Sequence, residues 1–527
     1  MKKFALLIAA SVIPVLFAHN AYAQTVAGRL DSLFTAPGNF ESLNGGVLVA
    51  ENGKIIYQRY FGFADLEKRK GNNESSTFEI ASNTKTFTST AILQLRDKGK
   101  FRLDDPFVKY FPSFPYPAIT IRNLLTHTSG LGNEEMYVAL LKEEPDRILT
   151  NADIIPCMLK YGKSLKFQPG DNFEYNNINF ELLALLVERI SGSSYSEYLR
   201  KHIFIPAGMT HTYVRTERMN TTDASRMNTA DTNRVRTYML PPGKLFLAAR
   251  INTDSIQTLR FKQMFRNFRG LVGDGGIVST LEDMLNYSEA LYSGKLLKVS
   301  TMEEAYTPAR LTNDKEYELS PRNGFRPGTK YLGRMHYGLG WVINEDESMG
   351  KIVSHGGKFP GIWSGLLRNI SKRQTIITYD NTAWSGADLL NRMALDILNN
   401  KPIEDLLSKK SLAQVYVQCM MQKGADAAFS QLMELKSDTT HYFLDQYEIN
   451  SLGYQFLANG YLAQSLETFK VNVLLFPNSA NAYDSYAEAL AQHGDKDPAI
   501  AMYRKSILMD PKNGEGKKRL KKLLGEN

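Results

Sequence analysis

The sequence predicts an α+β fold: an antiparallel sheet flanked by helices, with a helical lobe inserted, followed by an all-α repeat region. Three observations predict it. An Asn-Gly turn joins two strand-like runs near residue 50, and further strand-like runs return between residues 340 and 379. Beyond about residue 400 the pattern is helical throughout and repeats with a 34-residue period. A chain of 527 residues calls for more than one domain. The divisions expected are 1–23 as a signal peptide, 24–400 as the mixed domain and 401–527 as the helical region.

The first residues bear on compartment. Lys2 and Lys3 precede an apolar run from Phe4 to Ala18, and Ala21-Tyr22-Ala23 has the small-x-small form of a cleavage site before Gln24. The run is short for a bilayer span, so a secretory signal is favoured over a retained anchor, and the mature protein is expected to be periplasmic or secreted. The two cysteines, Cys157 and Cys419, are too few and too far apart for a disulfide scaffold or a zinc site, so two buried thiols are expected. The net charge of +8 falls by two once Lys2 and Lys3 leave. Much of the excess lies between Lys512 and Lys522, without a nucleic-acid motif beside it, which reads as a solvated helix end.

In chain order, Gly46 to Ala50 and Ile55 to Tyr60 flank Asn52-Gly53, a hairpin signal. Later strands are expected at 340–343, 351–354, 363–367 and 374–379, then a helix from Leu389 to Leu398. Strands from both ends of this body, with helices between, predict one sheet closed by the termini.

The chemistry starts at Ser82-Asn83-Thr84-Lys85. Ala91, Ile92 and Leu95 follow Thr88 at the spacing of a buried helix face, which puts Ser82 at a helix start and Lys85 on the same face. A serine hydroxyl attacks only once a neighbour takes its proton, and a desolvated lysine can serve. Alone, Ser-x-x-Lys is most often a solvated helix surface. Next comes Tyr175-Asn176-Asn177. In an extended segment Tyr175 and Asn177 share a side, where a phenol can shuttle protons and an amide can hold a substrate carbonyl while pinning Lys85. By itself this too is an ordinary loop. Third is His355-Gly356-Gly357, followed by Lys358, at the end of a strand whose exposed edge would supply an N–H. In isolation it reads as a Gly-Gly bulge with an incidental histidine.

In the C-terminal region Gly460, Phe469 and Pro477 recur as Gly494, Tyr503 and Pro511, with Ser465 matching Ala499. This resembles the tetratricopeptide repeat, with units at about 447–480 and 481–514 and a degenerate one around Gly424 to Phe429. An ordinary helical bundle is the alternative. Stacked repeats of this kind offer a concave surface, which leaves room for a protein partner the sequence does not name.

Taken in order, Ser-x-x-Lys, Tyr-x-Asn and His-x-Gly resemble the serine β-lactamase and penicillin-binding protein superfamily, over roughly residues 30 to 400. The Tyr-x-Asn form is similar to the class C β-lactamase branch with its D-aminopeptidase and esterase relatives. The stretches 119–131, 168–170, 273–280 and 337–341 agree. The resemblance implies a β-lactamase/transpeptidase-like fold. It makes Ser82 the acylated nucleophile, Lys85 its base or relay, and Tyr175 the base of deacylation. Asn177, His355, Gly357 and Lys358 would bind substrate, the N–H groups of Ser82 and Lys358 forming the oxyanion hole. His127 would be structural. No cofactor is implied, and the eight histidines show no metal-ligand spacing.

The sequence departs from the branch where β-lactamases carry Lys-Thr-Gly and this chain has His355-Gly356-Gly357. Histidine charges only near its pKa of about 6.5, which disfavours antibiotic hydrolysis; His355 either faces a substrate carboxylate with a charge held only at acidic pH or merely packs beside the strand. The leading function is an exported serine hydrolase cleaving an ester or amide of a small molecule or peptide, D-amino-acid peptides included. A β-lactamase proper is the second reading. A catalytically silent binding protein using its repeats is the third. No nucleic-acid partner and no transmembrane anchor after signal cleavage are expected.

Overall fold

The structure is a computed structural model that describes residues 26–35, 43–215, 232–239, 251–252, 266–319, 334–382, 387–401, 409–458, 460–511 and 513–525. The expected signal peptide lies outside these residues, as does much of 209–269. Most of residues 26–401 belongs to one compact unit and 409–525 to a second.

Asn52 and Gly53 take φ values of 53° and 75°, the left-handed pair that a tight hairpin needs. That turn joins β1 (Gly45–Glu51) to β2 (Lys54–Phe61). Further along the chain two short strands, β3 (Phe78–Glu79) and β4 (Tyr213–Val214), pair on either side of β5 (Ile277–Ser279) in a small antiparallel sheet. The main sheet is completed by β6 (Met335–Tyr337), β7 (Val342–Asp346), β8 (Gly350–Phe359), β9 (Ile362–Asn369) and β10 (Gln374–Asp380). Its order is β6-β7-β8-β9-β10-β1-β2, antiparallel throughout. The register Gly45↔Asp380 through Glu51↔Gln374 joins the two ends of the body, as the sequence predicts.

Helices cover both ends of that chain path. Residues 26–35 form α1, where Asp31 meets Tyr57 and Arg59 on β2 and Arg29 reaches the Lys401 carbonyl. The helix α2 (Thr84–Asp97) buries Ala91, Ile92 and Leu95 as its periodicity predicts, and also buries its polar side from Thr84 to Thr90. A helix so enclosed is central, with α3 (Asn177–Ser191) and α4 (Leu281–Tyr292) sharing its core. The last helix of the unit is α5 (Ala387–Leu398). Cys157 and Cys419 are both buried and free. Among the described residues no helix is long and apolar enough to cross a membrane.

The second unit is a series of helical hairpins: α6 (Leu412–Lys423) with α7 (Ala425–Leu435), α8 (Gln446–Ala458) with α9 (Leu462–Leu475), and α10 (Ala480–His493) with α11 (Lys496–Met509). A final α12 spans Gly514–Leu524. The first helices start at 412, 446, 480 and 514, a constant step of 34 residues. Their caps keep the same step. Ser411, Asp445, Ser479 and Asn513 each accept a backbone N–H three residues on, at 3.1, 2.8, 3.2 and 2.8 Å. Ser465 and Ala499 are fully buried, with Phe469 and Tyr503 packed inside beside them.

Candidate active site

The candidate nucleophile sits in a short turn between β3 and α2. Ala81–Asn83 form one turn of 3-10 helix, and Ala81 takes φ 44°, a left-handed conformation that costs energy in a residue with a side chain. Hydrogen bonds hold that turn from both sides. Ile80 N–H donates to Ile277 O at 2.9 Å, and Ser364 Oγ donates to Ile80 O at 2.6 Å. Asn83 Nδ2 donates to Ser364 Oγ at 2.8 Å. The first bond within the turn runs from Asn83 N–H to Ile80 O, so the Ser82 N–H precedes it and is left unpaired there.

Lys85 is fully buried, yet its Nζ meets three oxygens. It donates to Ser82 Oγ at 3.0 Å, Asn177 Oδ1 at 2.9 Å and Asp274 O at 3.0 Å. Three acceptors around one nitrogen fix its position. The Tyr175 ring centroid lies 4.9 Å from Nζ, and the half-exposed phenol has no hydrogen-bond partner among the described residues. Asn176 is extended and caps α3 by accepting the Ile178 N–H, which makes Asn177 the first helical residue. Tyr175 and Asn177 thus reach the same lysine across a helix start rather than along a strand.

His355 lies inside β8, which runs on to Phe359. What ends is the neighbouring strand. Pairing of β7 with β8 stops at Val342↔Ser354, so among the described residues 355–359 keep only β9 as a strand partner and present an edge. Counting back from the closing pair Phe359↔Ile362, Lys358 falls in a row whose N–H points away from β9, toward that edge. Gly357 has a role the sequence did not show. A Cβ there would lie 2.3 Å from Ile80 O and 3.0 Å from Ser82 N, so its bareness admits the Ser82 turn.

Of its two expected settings, His355 takes the packed one. It is buried; its Nδ1 donates to Gly356 O at 2.8 Å and its Nε2 accepts from Tyr337 Oη at 3.1 Å. Burial, with the Lys85 charge nearby, lowers its pKa to about 3. The imidazole is therefore neutral across the physiological range and supplies no charge for a carboxylate. His127 is also fully buried, and burial with Lys85 and His355 nearby pushes its pKa well below the usual value. Its ring packs 4.3 Å from that of Tyr175, and Nδ1 accepts the Asn176 N–H at 3.2 Å.

Two acids here were not singled out from sequence. Glu134 Oε1 accepts from Asn177 Nδ2 at 3.2 Å, and burial raises its pKa. Asp274 lends its carbonyl to Lys85, while burial raises the pKa of its carboxyl. Behind them Tyr137 Oη donates to buried Glu181 at 2.5 Å; burial, then Asp274, pushes the Glu181 pKa well up. Asp274 stands in the stretch 273–280, which the sequence marked only as a whole, and Glu134 with its neighbour Glu135 belongs to no motif.

This framework has known counterparts. Residues 31–387 match the Beta-lactamase family. Penicillin-binding protein 4* of Bacillus subtilis (strain 168) is 31% identical over 360 residues, which is 68% of this chain and 72% of that protein. Among solved structures, a penicillin binding protein from Bacillus halodurans has a TM-score of 0.52 at 24% identity, over 72% of this chain and 97% of that one. The D-amino acid amidase from Ochrobactrum anthropi SV3 has 0.54 at 22%, over 72% and 99%. With its antiparallel sheet, its Ser-x-x-Lys helix and this match over most of its length, the chain belongs to the β-lactamase family and is a serine hydrolase related to the penicillin-binding proteins.

Proposed function

We propose that Ser82 is the nucleophile of an acyl-enzyme hydrolase that cleaves an ester or amide. The supporting observation is the single Lys85 Nζ bridging Ser82 Oγ and Asn177 Oδ1. Ser82 Oγ attacks the substrate carbonyl carbon, and its proton passes through Lys85 and Tyr175 to the leaving nitrogen or oxygen. The N–H groups of Ser82 and Lys358 hold the negative oxygen of the tetrahedral intermediate. The amine or alcohol departs, leaving acyl-Ser82. Water then attacks the ester with Tyr175 taking its proton, and collapse returns Ser82 and the free acid. Asn177 orients the substrate, His355 supports the site through Tyr337, and Gly357 gives the turn its room.

Glu134 and Asp274 stand beside Asn177 and Lys85. Burial disfavours their charged forms, and an ammonium on the acyl group would draw them back toward carboxylate, so an amino-acid amide or the N-terminal residue of a peptide suits the site. D-Configured peptides are the class to try first, because the fold is shared with a D-amino acid amidase. The apolar run at 4–18 and the cleavage pattern before Gln24 support export to the periplasm or beyond. The 34-residue step supports tetratricopeptide-like repeats over 401–527, a separate domain able to hold a protein partner. The test is turnover of D- and L-alanyl p-nitroanilide, their N-acetylated forms and a chromogenic cephalosporin, with Ser82→Ala as the blank. Faster cleavage of the free-amine substrates is expected. Turnover of the cephalosporin alone would replace this reading with that of a β-lactamase.

A further inference from the structure

The last helix, α12, carries a charge pattern that α8 and α10 lack, for neither of those contains a lysine. Lys517, Lys518, Lys521 and Lys522 are all exposed. At 100° per residue they fall within an arc of about 140° on one side of the helix. On the other side Gly516 is buried and Leu520 and Leu523 are half-buried.

The four cations are barely neutralised. The one ion pair they make among the described residues is Lys518 with Glu515, at 4.0 Å. The acids on α10 are already engaged: Glu488 accepts from Arg519 at 2.5 Å, and Asp484 accepts from Asn513 at 2.7 Å. Two leucines stay in water near the ends of the last two helices, Leu508 at 76% exposure on α11 and Leu524 at 37% on α12.

We infer that this lysine face docks on an anionic phospholipid surface. Four ammonium groups on flexible stems present a spread positive field rather than a pocket, which suits a sheet of headgroups. The arc holds no aromatic ring on which a base could stack, and the helix's arginine is already paired, so single-stranded nucleic acid is a poorer fit. Exposed Leu524, about 20° outside the lysine arc at 100° per residue, supplies the apolar contact with the headgroup boundary that such a helix uses. The inference rests on the second unit alone and stands or falls apart from the role of Ser82.

The test is flotation of the full chain with vesicles of phosphatidylcholine, alone or with about one-third phosphatidylglycerol. Binding to the anionic vesicles only, reversed by about 0.5 M salt, is expected. Replacing all four lysines by glutamine should weaken that binding at least about tenfold. The single Lys→Gln variants should show graded losses while far-UV circular dichroism stays unchanged, which guards against a folding defect. Equal binding to neutral vesicles, or undiminished binding by the quadruple variant, would overturn the inference. So would retention on an RNA or heparin matrix without any vesicle binding.

Discussion

Gly357 and Ser82 lie backbone to backbone: a Cβ on the glycine would approach the Ser82 nitrogen to 3.0 Å and Ile80 O to 2.3 Å. Neither neighbour is the flexible end of a side chain, so the turn or β8 must move to admit a methyl. Gly357→Ala should therefore cost roughly 1–3 kcal/mol of stability. Because the displaced group carries one proposed oxyanion donor, kcat/KM should also fall by about a hundredfold or more. Thermal denaturation and ester turnover check the two effects separately. Unchanged turnover would mean that the Ser82 turn tolerates displacement.

His355 is held neutral by burial, with a pKa near 3 against an unfolded value of 6.5. The unfolded chain then binds a proton that the folded one refuses, so stability is full above about pH 6.5 and declines as pH falls toward 3. The full effect is of the order of 5 kcal/mol, and His127 acts in the same direction. His355→Gln should flatten this acid limb in a pH series of denaturant midpoints. Between pH 5 and 8 a matched carboxylate and amide substrate should show parallel kcat/KM profiles. An advantage for the acid below pH 6.5 that vanishes in His355→Gln would restore the charged role.

Lys85→Ala removes the donor for three oxygens at once, Ser82 Oγ, Asn177 Oδ1 and Asp274 O. Acylation should become undetectable, with roughly 1–3 kcal/mol lost in stability from acceptors left unpaired. Tyr175→Phe keeps the ring over the Lys85 site and loses only the hydroxyl. Intact mass spectrometry should then find acyl-enzyme building up during turnover. A Tyr175→Phe enzyme that turns over normally without such accumulation would remove Tyr175 from deacylation.

A chain ending at Lys401 keeps α5 and the Lys401–Asp346 ion pair at 3.3 Å. It keeps every side chain of the candidate site and should hydrolyse small esters within about twofold of the full protein. A folded, soluble product without activity would tie the helical hairpins to catalysis.

Much of this was legible in the sequence because the signals were local. The Asn52-Gly53 turn, the periodicity of α2 and the 34-residue step each follow from a backbone preference or a repeat that neighbouring residues reveal. Ser82, Lys85, Tyr175 and Asn177 were legible because three short motifs fall in one order, and the structure brings these four side chains together. The illegible parts depend on distant packing. That Gly357 makes way for Ser82, that Ser364 ties down Ile80, and that Glu134 meets Asn177 are contacts between separated segments with no local pattern. The state of His355 stayed open between two readings for the same reason. Its sequence context shows a histidine beside two glycines, whereas its proton is governed by the burial that the whole sheet imposes.

The proposed chemistry turns on one atom, Ser82 Oγ, and covalent labelling tests it most directly. The full-length protein is incubated with a fluorophosphonate, and then separately with a penicillin, before intact mass and peptide mapping. A single adduct on the peptide containing Ser82, absent from Ser82→Ala, is the expected result. An adduct that persists in Ser82→Ala, or that maps to another residue, would contradict the assignment of Ser82 as the nucleophile.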